Sequence, residues 1–372
     1  MKYTALRDVC EINMGQSPDS SSYNEEGRGI PFFQGNADFG ERNPVTRVWC
    51  DAPSKIAKAN DILISVRAPI GAVNYATETC CIGRGLAAIT PDLNRVSSEY
   101  VFWLLKGKNA ELNSKGTGST FKAINRKALE EIQVPAISLE EQEAYAANLE
   151  AVYKIVQLRK QQLSELDDLI KARFVELIEK SNLSDETTIE SITERVKVGF
   201  VGTCEKYYTD KSGIPMLRTS NITEKGIDLS DLKYVTAEFH DKNKKSQIHT
   251  GDLLIARHGS NGQANVYYGP DAQCLNAVVI VPNQKIASSV FLAGLINSPG
   301  VKRQIERTLV GSTQHVVNTK SIASLTVRIP NKAVQKEYES FVMQIDKSKS
   351  VIQKSLDETQ LLFDSLMQKY FG

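Results

Sequence analysis

Lys115-Gly116-Thr117-Gly118-Ser119-Thr120-Phe121-Lys122 has the glycines and a lysine with which a loop could cradle phosphate. It lacks the spacing that lets such a loop wrap a triphosphate, and the similar Gly311-Ser312-Thr313 lacks the lysine as well. Pro18-Asp19 and Pro91-Asp92 could begin a Mg²⁺ nuclease centre, but no acidic-x-Lys element follows either. Cys10, Cys50, Cys80, Cys81, Cys204 and Cys274 show none of the two-residue spacing of zinc or redox sites and read as reduced thiols. His240, His249, His258 and His315 show no ligand spacing either, so no structural metal is expected. What remains is binding chemistry. Arg, Asn and Gln in loops rich in Gly, Ser and Asn can offer paired donors and acceptors, while Lys, Ser, Thr and backbone amides can hold phosphates.

The elements that carry those loops are short. Ile62 to Val66, Leu86 to Ile89 and Ile132 to Val134 are apolar, β-branched runs bounded by Gly or Pro, as are Leu253 to Ile255, Val278 to Val281 and Leu325 to Ile329. These predict strands. Ser98 can cap a helix over Glu99 to Lys106, and Ser288 or Ser289 one over Val290 to Ile296, which Asn297-Ser298-Pro299-Gly300 ends.

These runs come in pairs. Gly29-Ile30-Pro31-Phe32-Phe33, then Asn36, recurs as Gly213-Ile214-Pro215-Met216-Leu217, then Asn221. Asn60-Asp61-Ile62-Leu63-Ile64-Ser65, leading through Arg67 to Gly71, recurs as Gly251-Asp252-Leu253-Leu254-Ile255-Ala256, leading through Arg257 to Gly262. Gly118-Ser119-Thr120 with Ile124-Asn125 and Lys127 recurs as Gly311-Ser312-Thr313 with Val317-Asn318 and Lys320, and Gln142 and Tyr145 recur as Gln335 and Tyr338. The order is kept at a period of roughly 190 residues, far beyond solenoid repeats and right for a duplicated domain.

A long helix follows each copy. Leu149, Val156, Leu163, Ile170 and Leu177 fall every seventh residue, with Tyr145, Val152 and Leu166 between them. That is a coiled-coil face, interrupted by Arg159 and Arg173. Tyr338, Ile345, Ile352 and Leu366 keep the same spacing, with Thr359 as the break, and Phe341, Leu356, Phe363 and Tyr370 widen the stripe. About 40 residues of helix at 1.5 Å each exceed what an ordinary domain spans, so each helix should pair with the other. Arg159 and Arg173 could then cross-pair with Asp346 or Glu358, or face a partner. The expected fold class is α/β (α+β), duplicated: two mixed α/β domains joined by two long antiparallel coiled-coil helices under a pseudo-two-fold axis. The boundaries are 1–138, 139–182 (helix), 183–332 and 333–372 (helix).

Length and composition agree with two domains of an ordinary folded protein, 372 residues with 41% hydrophobic and 24% charged side chains. No apolar run is long enough for a membrane-spanning helix, and a charge interrupts the opening MKYTALRDVCEI where a signal peptide would be apolar, so a cytoplasmic location is expected. The net charge of +1 argues against a protein that coats nucleic acid by bulk positive charge. Residues 1–138 hold 16 basic and 15 acidic side chains and 183–332 hold 18 and 14, against 6 and 9 in 139–182 and 5 and 6 in 333–372. The excess is on the globular parts, compatible with DNA contact on one face of each.

Two α/β domains, each followed by a long helix and without catalytic motifs, resemble the specificity subunits of type I restriction-modification systems along essentially the whole chain. The most specific local element is Gly15-Gln16-Ser17-Pro18, then Tyr23, Gly29-Ile30-Pro31-Phe32-Phe33-Gln34-Gly35-Asn36 and Asp38-Phe39, similar to the opening of many first target-recognition domains. The second copy keeps Gly213-Ile214-Pro215, Arg218 and Ser220-Asn221 but lacks the Gly-Gln-Ser-Pro stretch, so the two half-sites should differ. The resemblance implies a non-catalytic subunit that recognises an asymmetric bipartite target in double-stranded DNA. It also implies two docked methyltransferase subunits and motor-nuclease subunits, with S-adenosylmethionine, ATP and Mg²⁺ on those partners and no cofactor here. The helical spacer would set the gap between half-sites, about one turn of DNA or roughly 34 Å.

Loop position then nominates the DNA-binding residues: Gln34, Asn36, Arg67, Ser119, Thr120 and Lys122 in the first domain, and Arg218, Asn221, Arg257, His258, Asn261, Thr313, Gln314 and His315 in the second. Arg67 and Arg257 rank first, as both follow a strand into a Gly-containing loop at what the repeat makes equivalent points. Two other classes compete. One is a methyltransferase or nuclease with unrecognised motifs, against which stands the lack of an Asn-Pro-Pro-Tyr-type tetrapeptide. The other is a non-DNA scaffold with two binding domains on a coiled-coil stalk.

Overall fold

The computed structural model describes residues 2–117, 122–223, 226–258, 262–309 and 316–372. The chain forms two compact units, residues 1–160 with 354–372, and residues 161–353. Both contain part of each long helix, Leu139–Glu179 and Lys332–Phe371.

In unit 1 the strands Cys10–Met14, Leu86–Pro91, Ile62–Ser65 and Val73–Tyr75 form, in that order, an antiparallel sheet. A second sheet runs Tyr23–Asn24, Trp49–Cys50, Ile30–Phe33, Cys80–Ile82, Ile56–Ala57, with one parallel pair in which Phe32 lies opposite Cys81. Tyr3–Ala5 pairs with Gln133–Pro135. Helix Ser98–Gly107 is buried from Tyr100 through Leu105, as its unbroken apolar sequence demands. It packs in one core with Ile62, Ile64 and Ile89 of the first sheet and with Leu149, Phe363, Tyr370 and Phe371 of the long helices.

Unit 2 repeats each of these sheets and adds a two-stranded one, Ile222–Thr223 with Gly226–Ile227. Its antiparallel sheet runs Thr193–Val198, Ala277–Pro282, Leu253–Ala256, Ala264–Val266. Its mixed sheet runs Tyr208–Thr209, Lys233–Val235, Ile214–Leu217, Ala272–Cys274, Gln247–Ile248, again with one parallel pair, Met216 opposite Gln273. Thr187–Thr188 pairs with Thr326–Val327. The duplication is therefore one of topology as well as sequence.

The repeated residues hold the fold. Gln142 and Gln335 are buried at the starts of the long helices. Gln142 Oε1 accepts from Ser97 N at 2.8 Å and its Nε2 donates to Ile137 O at 3.1 Å, while Gln335 Oε1 accepts from Ser288 N at 3.3 Å and its Nε2 donates to Pro330 O at 3.0 Å. Each amide thus ties a long helix to the short one beside it, since a buried amide left unbonded would cost about 1–3 kcal/mol. Asn125 and Asn318 cap short helices by accepting from Ala128 N at 3.0 Å and Ser321 N at 2.8 Å. Asn60 (φ 69°) and Gly251 (φ 93°) occupy the same left-handed turn position, a backbone conformation that asparagine and glycine adopt most readily. The aspartates that follow accept backbone amides, Asp61 from Lys58 N at 2.7 Å and Asp252 from His249 N at 3.0 Å.

The predicted helix seam is buried or half-buried at every position: Leu149, Val156, Leu163, Ile170 and Leu177 on one helix, Ile345, Ile352, Leu356, Phe363 and Leu366 on the other. In unit 1 Tyr145 stacks on Tyr370 with ring centres 3.9 Å apart. In unit 2 Phe174 meets Tyr338 edge-on at 5.2 Å. Early residues of one helix thus meet late residues of the other, and the pairing is antiparallel.

Several sequence expectations change. The short helix begins at Ser98, so its cap position is Ser97. The segments after both short helices turn into further helices, Asn109–Lys115 and Pro299–Leu309, the latter opened by a proline whose missing N–H costs nothing at a first helical position. Arg173 cross-pairs, but with Glu337 (2.6 Å) and Glu176 (2.7 Å) rather than Asp346 or Glu358, because Glu337 lies level with it on the paired helix.

Candidate nucleic-acid interface

In unit 1, strands Ile30–Phe33 and Ile62–Ser65 and the turn between Cys80–Ile82 and Leu86–Pro91 converge at one end of the body. There Ser17, Gln34, Gly35, Asn36, Arg67, Ala68, Arg84 and Gly85 line a cavity of about 150 Å³. Of the residues nominated from the sequence, the structure thus brings Gln34, Asn36 and Arg67 together. Lys122 is exposed on the adjoining chain, where Ala68 N donates to Lys122 O at 3.1 Å. Arg67 and Arg84 are exposed, and among the described residues neither is in an ion pair. Two unpaired guanidiniums beside two side-chain amides make a rim suited to phosphate oxygens and base edges.

The rim is built rigidly. Asp38 accepts from Gln34 N at 2.7 Å and is itself paired with Arg47 at 2.7 Å, which fixes the Gln34-Gly35-Asn36 turn. Ser65 Oγ lies 2.9 Å from Arg67 O and anchors the other side. A Cβ at Gly85 would collide with Gln34 O, so only glycine lets the Gly83-Arg84-Gly85 turn press against that loop. Tyr23 donates its hydroxyl to Pro18 O at 2.9 Å, and Asp19 binds the amide of Ser21 at 2.9 Å. That backbone bond first, and the Ser21 hydroxyl second, hold the Asp19 carboxyl below its usual pKa.

Unit 2 presents a matching end with different side chains. Arg218, Thr219 and Ser220 follow strand Ile214–Leu217, His258 follows Leu253–Ala256, and Asn276 (φ 52°) occupies the turn that Arg84 holds in unit 1. Gly199 matches Gly15, because Gly199 N and Phe200 N donate to Ala277 O and Cys274 O as Gly15 N and Gln16 N do to Leu86 O and Ile82 O. The second copy therefore keeps the glycine and replaces Gln-Ser-Pro by Phe200-Val201-Gly202.

Two sequence pairings are corrected. Ile124 N donates to Val66 O at 2.9 Å, while Val317 N donates to Arg257 O at 3.1 Å, so Arg257 matches buried Val66 and the counterpart of Arg67 is His258. Arg257 is half-buried, with its Nε 3.4 Å from Val317 O, whereas His258 is exposed. Asn221 matches the role of Asp38 rather than Asn36. It is 2% exposed, its Oδ1 accepts from Arg218 N at 2.9 Å, and its Nδ2 donates to Asp228 O at 3.1 Å and Asp231 O at 3.0 Å. Its donors and acceptor are spent on the loop, so it shapes the interface instead of reading from it. Arg218 is engaged too, donating from Nη2 to Asp231 Oδ2 at 2.8 Å. Ser119, Thr120, Asn261, Thr313, Gln314 and His315 lie outside the described residues.

Sequence reasoning misses Ser17, Arg84 and Asn276. The signal for Arg84 is an arginine flanked by glycines between two apolar runs, Cys81-Ile82-Gly83-Arg84-Gly85-Leu86.

Comparison with known proteins gives this geometry a family. The provisionally named MjaX type I restriction enzyme specificity subunit of Methanocaldococcus jannaschii is 43% identical over 157 residues, 42% of this chain and 37% of that one. The match thus spans little more than a third of that relative's length. The EcoBI type I restriction enzyme specificity subunit of Escherichia coli is 20% identical over 99% of this chain and 84% of its own. The crystal structure of the type I restriction-modification S subunit from M. genitalium shares the fold over 100% of this chain and 96% of its own, with a TM-score of 0.61 at 14% identity. With residues 1–168 and 203–359 each matching the type I restriction modification DNA specificity domain, one match for each copy of the repeat, the chain belongs to that family.

Proposed function

We propose that this chain is the DNA-recognition subunit of a type I restriction-modification complex and that its two bodies read the two unlike halves of one asymmetric target. The observation that carries this is the matched end of each body. One fold presents Ser17, Gln34, Asn36, Arg67 and Arg84 in the first copy and Val201, Arg218, Ser220, His258 and Asn276 at the corresponding end of the second. A scaffold duplicated in its fold-holding residues and divergent in its exposed polar ones is what reading two different short sequences requires.

In this reading the chain catalyses nothing itself and works in the cytoplasm. Two methyltransferase subunits supply S-adenosylmethionine chemistry, and motor-nuclease subunits use ATP and Mg²⁺. The long helices set the separation of the half-sites. Their exposed apolar residues, among them Leu158, Val351 and Leu361, give partner subunits a surface to cover. The test is long-read methylation sequencing of a host that expresses the chain with its neighbouring methyltransferase. A modified two-part asymmetric motif is expected; the absence of any sequence-specific modification, with both proteins present and co-purifying, overturns the reading.

A further inference from the structure

The second body carries an insertion that the first lacks. Residues 51–55 join Trp49–Cys50 to Ile56–Ala57 in unit 1, whereas residues 236–246 join the matching strands in unit 2 and fold into helix Ala237–Lys242 and the turn Lys244–Ser246. Gln273 holds it. This residue lies opposite Met216 and Gln247, the position that Cys81 occupies opposite Phe32 and Ile56. Its side chain is fully buried. Its Nε2 donates to His240 O at 3.3 Å and Asn243 O at 3.4 Å, and its Oε1 accepts from Ser246 Oγ at 2.5 Å. A buried amide on a central strand is unfavourable without such bonds. Here it ties the helix at His240, the cap at Asn243 and the closing turn at Ser246 to the sheet, so the stretch that carries the lysines is a built element and not slack chain.

Strand register shows which way the insertion ends. Strands Ile214–Leu217 and Ala272–Cys274 run in parallel toward Arg218 and Asn276. Gln247–Ile248 runs against them with Gln247 opposite Gln273, so Lys244 and Lys245, just before it, lie toward the same end. Lys233, opposite Met216, lies on the other flank of that end. All three are exposed, and among the described residues none is in an ion pair, whereas Lys242 is spent on Glu238 at 2.6 Å. By the same register Val48, Pro53 and Ser54 stand at these points in unit 1.

We propose that the insertion and the strand before it form a phosphate clamp: Lys244 and Lys245 of the insertion and Lys233 of the strand bind the backbone of the duplex beside the half-site read by the second body, adding affinity without adding sequence information. The proposal rests on the DNA-reading function. Lysine suits it, being a compact charge on a flexible stem with no planar fork to match a base edge.

The test uses the complex assembled with its methyltransferase subunit, wild type against Lys244→Gln/Lys245→Gln, on duplexes with an intact or scrambled second half-site between 50 and 200 mM salt. Two lost phosphate contacts should lower the slope of log affinity against log salt by about 1.8, so the affinity lost across that range shrinks about 12-fold. The change should be equal on both duplexes, should vanish on a duplex trimmed at the edge of the second half-site, and should leave the methylated sequence unaltered. An unchanged slope with wild-type DNA binding intact overturns the clamp while sparing the recognition function, and so does a loss of methyltransferase docking in its place. A change confined to the intact half-site also overturns it, by making the lysines readers of sequence. A wild-type complex without sequence preference refutes the recognition function itself.

Discussion

Replacing Asn221 with alanine should damage the second reader without touching the first. The side chain makes three hydrogen bonds to backbone, one from Arg218 N and two to Asp228 O and Asp231 O, at 2.9 to 3.1 Å in a 2% exposed position. At about 1 kcal/mol net for each, with water able to reach the exposed Asp228 and Asp231, the loss is about 2–3 kcal/mol. In a unit the size of residues 161–353 that lowers the melting temperature by about 4 to 12 °C. Asn221→Asp keeps the acceptor but turns a carboxylate toward two carbonyl oxygens, and should be at least as harmful at neutral pH. Scanning calorimetry of the full chain measures the first effect. Methylation mapping of the assembled complex measures the second, a loss of discrimination at one half-site only. If Asn221→Ala melts like wild type yet changes the bases modified, the side chain reads DNA directly and its assignment to loop shaping is wrong.

Arg67→Ala and Arg84→Ala should each weaken target binding by about 1–3 kcal/mol and relax specificity in the first half-site, as titrations with single-base variants will show; an equal loss on every sequence would reassign them to phosphates. At the other reader, His258→Ala should cost more affinity than Arg257→Ala, since His258 holds the exposed position; the reverse order refutes the corrected register. Burial first, and Arg42 second, lower the Lys106 pKa to about 8 from 10.5. The unfolded chain then binds more protons between these values, so stability should rise with pH across that window in wild type relative to Lys106→Met, by less than about 1.4 kcal/mol per unit. Denaturant titrations at pH 7.5, 8.5 and 9.5 read this difference, and a flat one refutes the lowered Lys106 pKa. Burial pushes the thiols of Cys10, Cys80 and Cys274 up to about 12 and all six cysteines are buried. Thiol reagents at neutral pH should therefore label the native chain slowly and the unfolded chain at all six positions.

The duplication is legible in the sequence because the residues that recur are the ones with strict physical duties: Gln142 and Gln335 clamp helix starts, Asn125 and Asn318 cap, Asn60 and Gly251 take a left-handed backbone. The long helices are legible because a seven-residue spacing of apolar side chains over some 40 residues has few other uses. The interface is less legible, since exposed loops carry no periodicity. Arg67 and Arg257 look equivalent by residue type, and only the hydrogen bonds of Ile124 and Val317 show the offset of one. Counting onward from Asn60-Asp61 and Gly251-Asp252 would have given the same answer. Asn221 looks like a reader for a similar reason: an asparagine after a strand has one composition whether it faces out to a ligand or in to its own loop, and burial alone separates the two. The mixed sheet is hardest to foresee, because strands as short as Trp49–Cys50 and Ile56–Ala57 are held by neighbours far along the chain.

Unit 1 is not contiguous. Phe363, Tyr370 and Phe371 belong to the same core as Trp103 and Leu149, although more than two hundred residues separate Leu149 from Phe363. A ribosome therefore releases the first body with its core open, and unit 2, residues 161–353, is complete before unit 1 can be. Nascent chains stalled before residue 354 would expose the aromatic floor of helix Ser98–Gly107, and a quality-control system that samples such surfaces would meet this protein at its amino-terminal half first.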